Sequence, residues 1–180
     1  METTPLKLSG LMLFKPRVFH DARGFFLETY RKSAYALPEF VQDNLSFSKK
    51  NVIRALHFQS HPGQAKLVSC LQGTIFDVAV DIRPDSPTFK RWIGVELRGD
   101  THEQLFVPAG FAHGYCVLSN EATVQYKVSA PYDPTTERSI RWNDPQIGVE
   151  WPVTHPVLSP RDEQSPFFNE VFYDVVDHRR

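Results

Sequence analysis

The chain has 180 residues, 41% of them hydrophobic and 23% charged. That is globular composition at a length suited to one domain of roughly 100–200 residues, and it excludes wholesale disorder. Twenty basic residues face 21 acidic ones, for a net charge of −1, so nothing in the total charge favours nucleic acid.

The first residues, METTPLKLSGLMLF, lack the basic start and full apolar stretch of a signal peptide. No apolar run reaches the ~18 residues of a membrane-spanning helix. A cytoplasmic chain without a membrane partner is expected. In chain order, residues 29–37 (TYRKSAYAL) read as a short helix ending before Pro38. Strands are then expected over 52–59, 66–72, 74–82, 91–98, 103–108, 111–118 and 121–129. In 74–82, Phe76, Val78, Val80 and Ile82 share one face while Asp77 and Asp81 share the other. Residues 131–152, rich in Pro, Asp and Trp, read as an irregular arm with one possible strand. A C-terminal helix is expected near 166–176. The prolines, 14 in all, interrupt long helices. Many short strands between turn signals predict an all-β sandwich or barrel as a single domain over 1–180. Cys70 and Cys116 lie in apolar runs and read as buried free thiols.

Four segments carry candidate chemistry. In Arg54-Ala55-Leu56-His57-Phe58-Gln59, strand alternation puts Arg54, Leu56 and Phe58 on one face and Ala55, His57 and Gln59 on the other. Lys66 follows nine residues after His57. A neutral imidazole near an ammonium suits proton abstraction with stabilisation of a developing oxyanion; a polar surface hairpin is the plainer alternative. In Gly110-Phe111-Ala112-His113-Gly114, two glycines around a histidine suggest a tight turn feeding a strand. Tyr126 is either a proton donor or a core-packing ring. In Leu158-Ser159-Pro160-Arg161-Asp162, the carboxylate either orients a histidine or ends an exposed Ser-Pro turn. His57, His61 and His113 lack metal-ligand spacing, and Pro62 argues against a helix that would align the first two, so no metal is expected. No glycine-rich phosphate loop is present.

These segments, together with Asp21–Glu28, Gln42–Ser46, Asp77–Arg83, Ser86–Phe89 and Trp142–Pro145, resemble the dTDP-4-dehydrorhamnose 3,5-epimerases. The resemblance runs from about residue 5 to 170. It implies a cupin-type jelly roll with a few short peripheral helices, a homodimer, and no metal or organic cofactor. It implies a nucleotide-sugar substrate, dTDP-4-dehydro-6-deoxy-D-glucose, inverted at C3 and C5. By the same resemblance His57 is the base, Asp162 orients it, Lys66 steadies charge on O4, and Tyr126 is the acid. Arg23, Glu28, Gln42, Asn44, Arg54, His113 and Tyr132 match substrate-binding positions, the first two presented across the dimer.

Four residues depart from the family pattern. Ala55 and Lys90 stand where glycine is usual, Pro131 replaces the first tyrosine of a common pair, and Arg161 replaces a lysine. The alternatives are an epimerase acting at C3 or C5 alone, a sugar-nucleotide-binding cupin without turnover, and a metal-dependent cupin dioxygenase.

Overall fold

The computed structural model describes residues 1–171. Its strands are β1 Glu2–Pro5, β2 Met12–Lys15, β3 Val18–Asp21, β4 Gly24–Leu27, β5 Gln42–Lys49, β6 Ile53–Gln59, β7 Lys66–Gln72, β8 Thr74–Asp81, β9 Trp92–Arg98, β10 Gln104–Val107, β11 Phe111–Val117, β12 Glu121–Val128 and β13 Glu137–Ser139. One sheet has the order β1-β2-β10-β7-β12-β5 and the other β13-β6-β11-β8-β9, while β3 and β4 form a separate hairpin. Neighbours are antiparallel throughout. This is the expected all-β, cupin-type jelly roll, two sheets packed face to face.

Three apolar layers hold it. The inner layer lies between the sheets and includes Val68, Ile75, Leu97, Leu105, Phe111 and Val124. A second covers the outer face of the five-stranded sheet: Ile53, Leu56, Val78, Val80 and Cys116 pack under Ile140, Ile147 and Phe168 of the C-terminal arm. A third covers part of the six-stranded sheet, where Phe14, Leu67 and Phe106 meet Tyr35.

Alternation in β8 is as read from the sequence, but the apolar face is not the inner one. Val78 and Val80 point outward under the arm, and Ile75 and Ala79 point between the sheets. Asp77 and Asp81 are therefore both fully buried. Asp81 accepts from the Arg83 guanidinium, Ser86 and Thr88. Burial alone would raise its carboxyl, and these donors outweigh that and hold it at about 2. Cys70 and Cys116 are buried free thiols, as expected, and burial pushes both up to about 11.

In β6 the expected alternation fails. His113 pairs with His57 and Tyr115 with Arg54, so two steps along β11 face three along β6. One extra residue shifts the phase of a strand by one side chain. Ala55 and Leu56 consequently both enter the outer core, and Arg54 and His57 both line the inner pocket, where alternation had placed them on opposite faces. Gly114 makes room for this bulge. A Cβ there would lie 2.4 Å from the Ala55 Cβ and 2.7 Å from the Arg54 carbonyl oxygen.

The helix expected over 29–37 is not formed. Only a single 3-10 turn, Lys32–Ala34, appears, with extended backbone at Arg31 and Tyr35 on either side. Tyr35 drops into the third core, its ring 5.0 Å from Phe14 and its hydroxyl 2.7 Å from Gln104 Oε1; tertiary burial outweighs a weak local propensity. The backbone is helical at 168–171, and the remainder of the expected C-terminal helix lies outside the described residues. Lys90 adopts φ +64 in the turn before β9, the left-handed conformation that glycine favours.

Gly114→Ala is expected to destabilise by about 1–3 kcal/mol, because a methyl is forced against main chain as well as side chain. A urea midpoint indistinguishable from the parent protein would contradict the bulge packing.

Candidate active site

The chain from Val157 onward is laid beside the start of β6. Val157 pairs in parallel with Val52, with Ile53 N–H donating to Val157 O and Val157 N–H to Asn51 O. Ser159 then caps a one-turn helix, α1 Pro160–Glu163, with proline in its first turn. The Asp162 amide donates to Ser159 Oγ at 3.1 Å, and that hydroxyl donates to Asp162 Oδ2 at 2.8 Å. This N-cap fixes the carboxylate, leaving Oδ1 2.6 Å from His57 Nε2. Asp162 is buried, not part of an exposed turn. Burial alone would raise its carboxyl, but the bond and charge of His57, the Ser159 hydroxyl and Arg161 hold it below the ordinary carboxylate value. It accepts from Nε2–H and so fixes the tautomer of the imidazole.

The facing sheet supplies the partners. Lys66 at the start of β7 points inward and is buried. Its ammonium donates to the His57 carbonyl oxygen at 3.3 Å and has no carboxylate within 4 Å among the described residues. Burial lowers it to about 8, against the opposing pull of Asp77 and Glu137. Tyr126 comes from β12, and burial raises its phenol above the usual value.

His57, Arg54 and His113 from one sheet and Lys66 and Tyr126 from the other thus line one cavity of about 220 Å³. A larger cavity, about 570 Å³, lies elsewhere, beside Trp92 and Arg91. It is lined by no histidine, carboxylate or tyrosine, whereas the smaller one brings two histidines, two tyrosines, a lysine and a glutamate together.

Four further residues line the pocket that sequence reasoning had not assigned to it: Ser46, Tyr115, Glu137 and Arg161. Tyr115 Oη lies 2.9 Å from Ser46 Oγ, and Arg161 Nη2 lies 2.5 Å from Glu137 Oε2. Arg161 was detectable as the neighbour of Asp162. Glu137 sits in the arm whose strand had no clear pattern.

Gln42 and Asn44 stay close to the pocket, Asn44 pairing in register with Tyr126. Gln42 donates to Asn44 Oδ1 and accepts from the Tyr132 amide, so it holds the loop that carries Tyr132. Arg23 and Glu28 are not brought to this pocket. On and beside the hairpin they pair locally, Arg23 with Asp21 and Glu28 with Arg31. Among the described residues no group of three or more His, Cys, Asp or Glu is placed to hold a metal ion. Among them, too, no helix is long and apolar enough to cross a membrane.

A histidine backed by a carboxylate, meeting a tyrosine and an ammonium from the opposite sheet, gives a cupin-type jelly roll the means to move protons at a carbon next to a carbonyl. That is the class of acid–base isomerases. The chain belongs to the dTDP-4-dehydrorhamnose 3,5-epimerase family, whose family model matches residues 5–170.

It is 45% identical over 181 residues to a dTDP-4-dehydrorhamnose 3,5-epimerase of Shigella flexneri, covering 97% of this chain and 100% of that one. It superposes with a TM-score of 0.90 on the crystal structure of a dTDP-6-deoxy-D-glucose-3,5-epimerase from Legionella pneumophila in complex with dTDP-4-keto-L-rhamnose, at 44% identity and 93% coverage of both chains. A dTDP-4-dehydrorhamnose 3-epimerase of Streptomyces niveus is 39% identical over 171 residues, 92% of this chain and 83% of that one.

Proposed function

We propose that the chain inverts C3 and C5 of dTDP-4-dehydro-6-deoxy-D-glucose, giving dTDP-4-dehydro-L-rhamnose. The observation that carries the reading is the placement of His57 and Tyr126 on opposite sheets of one pocket. Both carbons flank the C4 ketone, so loss of either proton gives an enolate. His57 takes the proton on one face, with Asp162 stabilising the imidazolium that forms. The Lys66 ammonium donates to O4 as negative charge gathers there. Tyr126, its phenol raised by burial, stays protonated at neutral pH and delivers a proton to the other face. Proton exchange with solvent then returns the imidazolium and the tyrosinate to their starting forms. The ketone is the electron sink, so the reaction calls for no metal or organic cofactor. Arg54 and His113 contact the substrate inside the pocket, and Gln42, Asn44 and Tyr132 contact it at its mouth. All of this rests on one domain, placed in the cytoplasm, without a nucleic-acid or membrane partner.

A homodimer completes the reading. The outer face of the six-stranded sheet exposes Leu45 and Phe47 on β5 and Leu71 on β7, and the β3–β4 hairpin exposes Phe25 and Phe26, the last at 71%. Apolar surface of that extent suits an interface, and a second copy seated there explains why Arg23 and Glu28, substrate residues by family position, stand apart from the pocket of their own chain. Phe47→Glu is expected to give a monomer by analytical ultracentrifugation; an unchanged dimer would move the interface elsewhere.

One family departure loses its bearing on selectivity. Ala55 is fully buried in the outer core and does not face the pocket. Pro131 does bear on it, because its carbonyl accepts from Gln59 beside Tyr132.

The test is incubation with the substrate in heavy water, read by proton NMR. Deuterium and inversion at both C3 and C5 are expected, with His57→Ala slower by at least about 10²-fold and still binding dTDP. Label and inversion at one carbon would make the chain a single-centre epimerase, and binding without label would make it a sugar-nucleotide-binding cupin.

A further inference from the structure

Glu137 lines the pocket, two further carboxylates are bonded to the histidines that line it, and two of the three have committed partners. Asp162 is bonded to His57 and Glu137 to Arg161. The third, Asp77 on β8, is fully buried and has no arginine or lysine within ion-pair distance among the described residues. Its hydrogen-bond partner is His113 on β11, whose Nε2 lies 2.9 Å from Oδ1 and 3.0 Å from Oδ2. A carboxylate only accepts, so Nε2 carries a proton and the ring is fixed.

An anion this deeply buried carries a large desolvation cost, and its side-chain hydrogen-bond partner among the described residues is a single histidine. The lysine that shares the pocket with His113 is Lys66, itself buried and without a carboxylate in contact. The other charges near Lys66 act against it or are already paired. Arg54 from β6 and Arg161 from α1 repel an ammonium, and Glu137 from β13 is bonded to Arg161. The remaining titratable neighbours, His57, His113, Tyr115 and Tyr126, carry no negative charge at neutral pH in their ordinary forms.

We propose that Asp77 is a positioning residue for the reaction: its buried charge keeps Lys66 an ammonium, and its two oxygens hold the ring of His113. Asp77 does not touch substrate. It acts through the two side chains that do. The electrostatics agree, since Asp77 is the foremost group opposing the effect of burial on Lys66, which stands at about 8. The inference rests on the reading of Lys66 as the group that stabilises O4.

The sign of the pH effect follows. An ammonium that must stay charged loses function as pH rises through its own value, so kcat/KM falls on the alkaline side near pH 8. Asp77→Asn keeps one acceptor for His113 Nε2–H, replaces the other oxygen by an amide donor, and removes the charge. The alkaline limb is expected to move down by about one pH unit or more, the scale of a partly screened carboxylate–ammonium pair.

The experiment is the pH profile of kcat/KM for the parent protein and Asp77→Asn. A limb that stays in place while the rate falls evenly at every pH would assign Asp77 a purely structural role and overturn the proposal. Should Asp77→Asn fail to fold, His113→Gln decides: it exchanges the imidazole for an amide donor and keeps the Asp77 charge, so the limb must stay or rise, and a fall contradicts the proposal. A parent protein without epimerase activity would instead refute the proposed function, which separates the two failures.

Discussion

One extra residue in β6 decides which side chains meet. Across from Gly114, three residues of β6 span two of β11, and the inward face changes from even to odd positions. Without that shift Arg54 and His57 would be on opposite faces of the sheet. With it, both enter the space between the sheets, and Ala55 and Leu56 take the outward positions beneath the arm. The same outward anchoring fixes the His57 ring, because the arm that covers Leu56 also carries Asp162 back to it, 105 residues away in sequence.

The pocket is a small volume in which opposite charges are separated by purpose. Each carboxylate has its own partner: Asp162 with His57, Glu137 with Arg161, and Asp77 with His113. Lys66 is left with a single carbonyl acceptor, the His57 oxygen. Charges held apart in a site of low dielectric act more strongly than the same charges in water. In the proposed mechanism the enolate oxygen meets an ammonium whose remaining N–H groups are not already taken by a carboxylate.

The strands from 53 to 128 were legible because apolar residues alternate along them and turn residues divide them. β5 was not, and its pattern is the reason. Its inward residues Gln42, Asn44, Ser46 and Ser48 are polar because they face the pocket side, while Leu45 and Phe47 are exposed. A strand that buries its polar face and exposes its apolar one reads as a loop. β1 to β4 are four-residue strands, too short for periodicity to register. Residues 29–37 had helical spacing, but Tyr35 gains more from the Phe14 cluster than a helix could offer.

The site was legible through its chemistry and not through its geometry. His57, Lys66, Tyr126, Arg54 and His113 share one pocket, yet alternation alone had divided Arg54 from His57, since a bulge leaves no mark in residue spacing. Asp162 could be read equally as an exposed turn residue until its cap and its bond to His57 were placed. Glu137 gave no signal, lying in a three-residue strand. Arg23 and Glu28 pair locally on and beside the exposed hairpin, away from the pocket; in the proposed dimer their partner is a second chain, which a pattern of burial within one chain does not encode.

The central claim is that two residues on opposite sheets divide the proton transfers between them, His57 removing and Tyr126 returning. The most direct measurement is made on Tyr126→Phe in heavy water, following deuterium entry and inversion separately by proton NMR. The account predicts exchange at the carbons next to the ketone that outlasts inversion, because the base still works while the acid on the far face is missing. Equal loss of exchange and inversion would contradict that division.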